Sequence, residues 1–266
     1  MKKPKNMNIN HHLKAILFLA ITLLFCFSVR AQSNLDTLRK PQTTNTKLPQ
    51  FRVAAQVGYG YRNAYIVQST YYSMKARELV PVSNSMKSHL LKLNHNISYG
   101  ADFSYFLKKY IGFGIRYNGI NSSATSSEVL FPLEDDFVIR GSISEKIGIH
   151  YIGGFIATRY FLPSNKHCIF ANIGAGLSIY KNNLKINANK QILTDNSAAF
   201  VAEFGYDFFI TQNFAMGLQT SIYFGFLKNF SYINDNGNIT LGKSIRQPRR
   251  LNLNHIDISI GFRFYK

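Results

Sequence analysis

Cysteine is almost absent from this chain of 266 residues: Cys26 and Cys168 are the only two. If the start of the chain is removed on export, Cys168 stands alone. An intramolecular disulfide is then excluded, as is a cysteine-based zinc site, and the protein must hold together by packing and hydrogen bonding. Acidic residues are also scarce, 13 against 31 basic ones. Such a balance invites a nucleic-acid reading, since basic patches bind phosphates. The basic residues are scattered through loops and turns rather than gathered on one predicted face, so an anionic lipid or lipopolysaccharide surface is the expected counter-charge and no nucleic-acid partner is expected. The third absence is of long apolar runs. Beyond residue 31 nothing approaches 18 apolar residues, so membrane-spanning helices are excluded.

The first thirty residues read as an export signal. Lys2, Lys3, Lys5 and Lys14 precede an apolar run from Ala15 to Val29. That run is shorter than the roughly 20 residues a helix needs to cross a bilayer, and it suits the core of a secretory signal. Val29-Arg30-Ala31 places small residues at the −3 and −1 positions, so cleavage is expected between Ala31 and Gln32. An uncleaved amphipathic anchor is the rival reading. A lipoprotein signal at Cys26 is disfavoured by Phe25, which stands where Gly or Ala is needed. Cleavage removes five basic residues and no acid, leaving 26 against 13, a net charge of +13. The expected organisation is a signal peptide at 1–31, a polar periplasmic lead at 32–50 and one β-domain at 51–266.

Period-two patterning dominates that domain. Val53, Ala55, Val57, Tyr59 and Tyr61 share one face of 51–62, and Arg52, Gln56, Gly58, Gly60 and Arg62 the other, because a strand sends alternate side chains to opposite faces. The pattern returns around Ile97–Tyr105, Ile111–Tyr117, Ile169–Ile179, Phe200–Phe208, Phe214–Phe224 and Ile256–Phe264. Residues 146–161 are strand-like but less regular, and Gly153-Gly154 is read there as a bulge that switches facing parity. Eight strands result.

The connections alternate strictly. Short links fall at Lys108-Lys109, Pro163–Lys166 and Thr211-Gln212; long polar ones occupy roughly 63–92, 122–144, 183–195 and 228–249. A transmembrane barrel has short periplasmic turns and long outer loops, whereas a soluble sandwich has no reason to keep its long loops at one end. Tyr105, Phe106, Tyr110, Tyr160, Phe161, Phe208, Phe209, Phe214, Phe262, Phe264 and Tyr265 lie near a short turn or the C-terminus and are expected to form an interfacial girdle. Closure removes sheet edges whose backbone groups hydrocarbon cannot satisfy. Eight strands leave a lumen narrow enough for side chains to fill, and the many inward Gly, Ser and Ala residues suit it. The predicted fold is therefore all-β, an eight-stranded antiparallel up-and-down transmembrane β-barrel.

Inside that barrel, a turn centred on Lys108-Lys109 sets Asp102 opposite Arg116, an expected ion pair. Glu203, Asp207, Asp257 and Arg263 point inward too, with Arg159 joining them if the bulge is present. These seven form an expected lumen charge network, because a lone buried charge is expensive. Lys228, Lys243, Arg246, Arg249 and Arg250 bracket the last long loop and are expected to meet lipopolysaccharide phosphates. His89, His95, His150 and His255 are the candidates for chemistry, but no spacing fixes a nucleophile with a base. Gly112-Phe113-Gly114 and Gly174-Ala175-Gly176 sit inside strands and make no phosphate loop. No catalytic, cofactor or metal residue is assigned, and a non-enzyme is expected.

The run Tyr99-Gly100-Ala101-Asp102-Phe103-Ser104-Tyr105-Phe106, followed by Gly112-Phe113-Gly114-Ile115-Arg116-Tyr117, resembles Bacteroidetes outer-membrane β-barrel proteins of the porin-like, PorT-type group with an OmpA-like barrel domain. Gly261-Phe262-Arg263-Phe264-Tyr265-Lys266 resembles the aromatic signal read by the barrel-assembly machinery, although it ends in Lys266 rather than Phe. The resemblance covers 51–266 and implies fold and outer-membrane location; it carries over no catalytic residue. The expected role is a barrel with a plugged lumen, acting as a structural, adhesion or partner-binding element through its outer loops, where a protein partner would bind. A narrow ion or small-solute channel and a barrel enzyme acting on lipid or peptide are the alternatives.

Overall fold

A computed structural model describes residues 48–62, 83–132, 138–163, 166–227, 231–234, 239–241 and 251–266. The expected signal peptide, most of the lead, and all of Lys228, Lys243, Arg246, Arg249 and Arg250 lie outside the described residues. The elements are β1 (Phe51–Arg62), α1 (Ser83–Asn94), β2 (His95–Phe106), β3 (Ile111–Pro132), β4 (Val138–Phe161), β5 (His167–Ile186), β6 (Asn189–Phe209), β7 (Phe214–Leu227), β8 (Ser231–Asn234), β9 (Ile239–Leu241), β10 (Leu251–Asn252) and β11 (His255–Tyr265).

Eight of these strands form a ring. β1 to β7 pair in chain order, β7 pairs with β11, and β11 returns to β1, every pairing antiparallel. The seam is fully bonded: Arg52 pairs with Tyr265 at its base and Arg62 with His255 at its top, and the Phe51 N–H donates to the Lys266 carbonyl at 2.7 Å. A ring leaves no edge where its eight strands pair, which is the condition a sheet would have to meet in hydrocarbon. The short links at Lys108-Lys109, Pro163–Lys166 and Thr211-Gln212 are the tight connections between β2 and β3, β4 and β5, and β6 and β7.

Facing alternates as the sequence implies. Ile115 (67% exposed), Ile97 and Phe200 point outward, while Arg52, Asp102 and Arg116 are buried inside. Tight spots inside the wall fall to glycine. At Gly205 a Cβ would strike the Phe170 ring, and at Gly217 it would strike the Asp207 carboxylate and the Arg263 guanidinium.

Three expectations are corrected. First, two of the long polar links are mostly strand. β3 and β4 run 22 and 24 residues and β5 and β6 run 20 and 21, about twice the 9–11 that span a membrane. The β5–β6 turn is only Asn187 and Ala188. Asn187 takes a φ of 52°, a left-handed value that asparagine tolerates better than most residues. Its N–H donates to the Ser142 carbonyl at 2.9 Å and its Oδ1 accepts the Ser142 N–H at 2.8 Å, which ties the hairpin tip to β4. The 63–92 link carries α1, and the 228–249 link carries β8, which pairs with the outer part of β6, and β9.

Second, no bulge interrupts Gly153-Gly154. The β3–β4 register is continuous there and shifts only between Ser126 and Val129. Arg159 therefore faces inward without it. Third, the aromatics near the short turns divide between the two faces. Tyr105, Tyr110, Tyr160, Phe208, Phe214, Phe262 and Phe264 lie on the outer face, but Phe106, Phe209 and Tyr265 are buried inside, and Phe161 packs with the last two. A second outward cluster sits at the other end, where Tyr59 and Tyr61 flank His95, and Tyr117 stacks on His150 with ring centroids 6.0 Å apart.

Candidate functional site

The interior changes character from bottom to top, because each strand contributes one inward residue in two. At the base, Phe161, Cys168, Phe209, Ala215 and Tyr265 pack together. Arg159 lies over the Phe106 ring, 3.5 Å from its centroid, and 5.1 Å from that of Phe161. Its Nε donates to the Lys109 carbonyl at 3.1 Å and its Nη2 donates to the Pro49 carbonyl. The expected place of Arg159 is among the lumen ion pairs. Instead it binds backbone carbonyls and pins the segment before β1 to the β2–β3 turn.

Above that layer runs a connected polar chain. Asp102 accepts Arg52 Nη2 at 2.9 Å on one oxygen and Arg116 Nη2 at 2.7 Å on the other. Arg116 also pairs with Glu203. Glu203 further accepts Asn172 at 2.8 Å, Gln219 at 3.0 Å and Ser221 at 2.8 Å. Gln219 Oε1 accepts Arg263 Nη2 at 2.5 Å, Arg263 Nε lies 3.1 Å from Asp207, and the Tyr265 hydroxyl donates to Asp207 at 2.5 Å. The chain thus joins β1, β2, β3, β5, β6, β7 and β11. Aromatic faces interleave it, with the guanidinium of Arg52 4.6 Å and that of Arg263 5.3 Å from the Phe170 centroid.

Of the seven residues expected in the network, Asp102, Arg116, Glu203, Asp207 and Arg263 are brought together, with Asp102 opposite Arg116 as the turn position implies. Asp257 is buried inside but lies outside this chain of contacts, 3.8 Å from His255 Nε2. Arg52, Asn172, Gln219, Ser221 and Tyr265 complete the network and stand outside the expected set. The parity of β1 already sets Arg52 on the inner face. Among the described residues the buried charged side chains are five arginines (52, 62, 116, 159 and 263) and five carboxylates (102, 145, 203, 207 and 257). By formal count these ten charges balance, and each buried cation among the described residues other than histidine is arginine, whose planar fork suits paired contacts with carboxylates.

Higher still, Tyr151 and Tyr223 meet edge to face, and Tyr223 stacks on His255 at 4.4 Å. Beyond them the interior becomes apolar. Leu93, Ile120, Ala124, Val129, Ile143, Ile147, Ile149, Tyr180, Leu184, Ile186, Leu193, Leu227 and Leu253 form one cluster. α1 contributes Leu93 and the buried His89, which lies 3.2 Å from the Ser126 hydroxyl and 3.5 Å from Glu145. The amide of Asn182 donates to Glu145 at 2.5 Å. The four histidines are thus dispersed. His89 and His255 are interior, while His95 and His150 stand in the outer aromatic cluster, the latter 2.8 Å from the Tyr117 hydroxyl. His150 and His255 occupy opposite faces of the wall and form no pair.

No protein-family model matches the chain, and no curated protein does. Solved structures do resemble it. A major outer membrane protein from Thermus thermophilus is 9% identical, with 80% of this chain and 99% of that one covered and a TM-score of 0.45. Neisserial surface protein A is 10% identical, covering 81% and 97%, with a TM-score of 0.43. Ail, the attachment invasion locus protein of Yersinia pestis, in complex with the heparin analogue sucrose octasulfate, is 8% identical, covering 81% and 98%, with a TM-score of 0.33.

Proposed function

We propose that the protein is an exported outer-membrane barrel whose lumen is closed, and that it works through its outer hairpins as a structural, adhesion or partner-binding element. The observation that carries this reading is the wall-to-wall chain from Arg52 through Asp102, Arg116, Glu203, Gln219 and Arg263 to Asp207. Opening a path for an ion would separate buried opposite charges in a poorly hydrated interior, and breaking one such pair costs about 3–5 kcal/mol. The apolar cluster with α1 above it adds a second obstacle.

The outer face supports the location, because its exposed Ile, Val, Leu and Phe side chains are what a lipid-facing band requires. The resemblance to the PorT-type group of Bacteroidetes barrels, the signal at 1–31 with cleavage after Ala31, and the outward Phe262 and Phe264 of the terminal strand support export and insertion by the barrel-assembly machinery. A purified sample in planar bilayers is expected to show no steady conductance, and a reproducible single-channel step would defeat the closed lumen. An epitope inserted at Asn187 is expected to bind antibody on intact cells; labelling only after lysis would reverse the orientation.

A further inference from the structure

Three neighbouring strands change the chemistry of their outer face at one height. On β5 the outward residues Ile169, Ile173, Leu177 and Ile179 are exposed and apolar, and the next outward positions are Lys181, Asn183 and Lys185. On β4 the outward Ile156 and Ile152 give way, beyond His150, to Lys146 and then Arg140. On β6 the outward Phe204 and Phe200 give way to Asn196, Thr194 and Lys190, with Ile192 the one apolar residue between them. Register brings the cations together: Lys146 pairs with Asn183, Lys181 with Gly148, and Lys185 with both Ser144 and Lys190. Neighbouring strands are about 4.8 Å apart, so Lys146, Lys181 and Lys185 form one patch.

No Asp or Glu shares that face among the described residues of these three strands above the apolar band. Glu145 is buried inside, and Asp195 pairs with Tyr180 on the inward-facing positions. Lys146, Lys181 and Lys185 are therefore gathered with no carboxylate beside them on that face among the described residues, an arrangement that favours an external anion.

We propose that the outward face of β4, β5 and β6 is a docking surface for the phosphates of a phosphorylated glycolipid of the lipid A type in the outer leaflet. The choice of a lipid over a soluble polyanion rests on continuity. Lys181 follows the lipid-facing Ile179 by two residues, about 6–7 Å of strand, so the patch begins at headgroup height. A lipid whose acyl chains lie on Ile152, Leu177 and Ile179 sets its phosphates among the three ammonium groups, whose aliphatic stems run along the apolar surface beneath them. The surface rests on the outer-membrane reading and assigns its lipid partner to residues other than Lys228, Lys243, Arg246, Arg249 and Arg250.

The test uses full-length protein with its signal removed, in nanodiscs of zwitterionic lipid doped with bisphosphorylated lipid A or with its dephosphorylated form. Wild type is expected to retain bisphosphorylated lipid A through exchange, and the triple variant Lys146→Gln, Lys181→Gln, Lys185→Gln to bind it at least tenfold more weakly. Wild type should bind the dephosphorylated form no better than the variant binds the phosphorylated one. Equal retention by variant and wild type, indifference to phosphate, or binding to a sulfated glycan in solution without lipid A each overturns the proposal. The three lysines are exposed, so the variant should keep the wild-type circular dichroism spectrum. Failure of the outer-membrane reading itself registers earlier and separately, as protein that stays soluble without detergent.

Discussion

Asp102 is one carboxylate shared by two guanidinium groups, and that arithmetic sets its importance. Removing it leaves Arg52 buried without a directly bonded carboxylate and Arg116 in direct contact with Glu203 alone. Asp102→Ala should therefore destabilise the barrel by about 3–5 kcal/mol, the penalty for breaking a buried pair from one side, read as a lower urea midpoint in lipid vesicles. Arg159→Met should cost less, about 1–3 kcal/mol, because what it leaves unmet is backbone carbonyl groups rather than a charge. Its shape also retains part of the packing on Phe106 and Phe161. A larger loss at Arg159 than at Asp102 would show that the basal strap, not the ion chain, is the main support of the interior.

α1 and the four long strands belong to a different scale, because the helix and the upper halves of those strands lie beyond the roughly 9–11 residues a membrane strand needs. They cohere through the apolar cluster above the charged layer. Leu93→Ala should cost about 2–5 kcal/mol within that cluster, seen in hydrogen exchange as lost protection in α1 and in β4 around Ile143–Ile149, with Ile169–Leu177 of β5 unchanged. Loss spread evenly round the barrel would mean that the outer part has no separate core. The half of this architecture nearer the short turns is legible in the sequence. Facing parity and the Lys108-Lys109 turn suffice to place Asp102 against Arg116. The outer half is hidden by a change of phase. Along β5 Ile169, Ile173, Leu177 and Ile179 are outward, whereas Tyr180, Leu184 and Ile186 are inward. A strand whose alternation reverses averages to a polar stretch and reads as loop. The same reversal in β4, where Ile149 and Tyr151 are inward but Ile152 and Ile156 outward, mimics a bulge at Gly153-Gly154. Nearness to a turn draws Phe106, Phe209 and Tyr265 into the expected girdle, whereas parity already sets them on the inner face.

For the whole molecule, on the proposed outer-membrane reading, that phase change marks the membrane boundary, because the two faces exchange polarity where their surroundings would. On that reading the outer face below it meets hydrocarbon while the inside carries the ion chain; above it the outer face carries lysine and the inside is mainly the apolar cluster around Glu145. β5 crosses the boundary between Ile179 and Lys181, so lysine substitutions along its outward face measure the boundary directly. Ile173→Lys should cost about 2–4 kcal/mol, as a lysine does near the midplane of a barrel wall, and the penalty should fall to about 0–1 kcal/mol near the interface, as at Ile179→Lys. Asn183→Lys, among Lys146, Lys181 and Lys185, should be tolerated in anionic bilayers and somewhat less so in zwitterionic ones, since only the former supply counter-charge. Urea unfolding in phospholipid vesicles reads all three. A profile that stays flat from Ile173 to Asn183 is incompatible with lipid on that face, because no aqueous environment distinguishes positions that are equally exposed and share one strand.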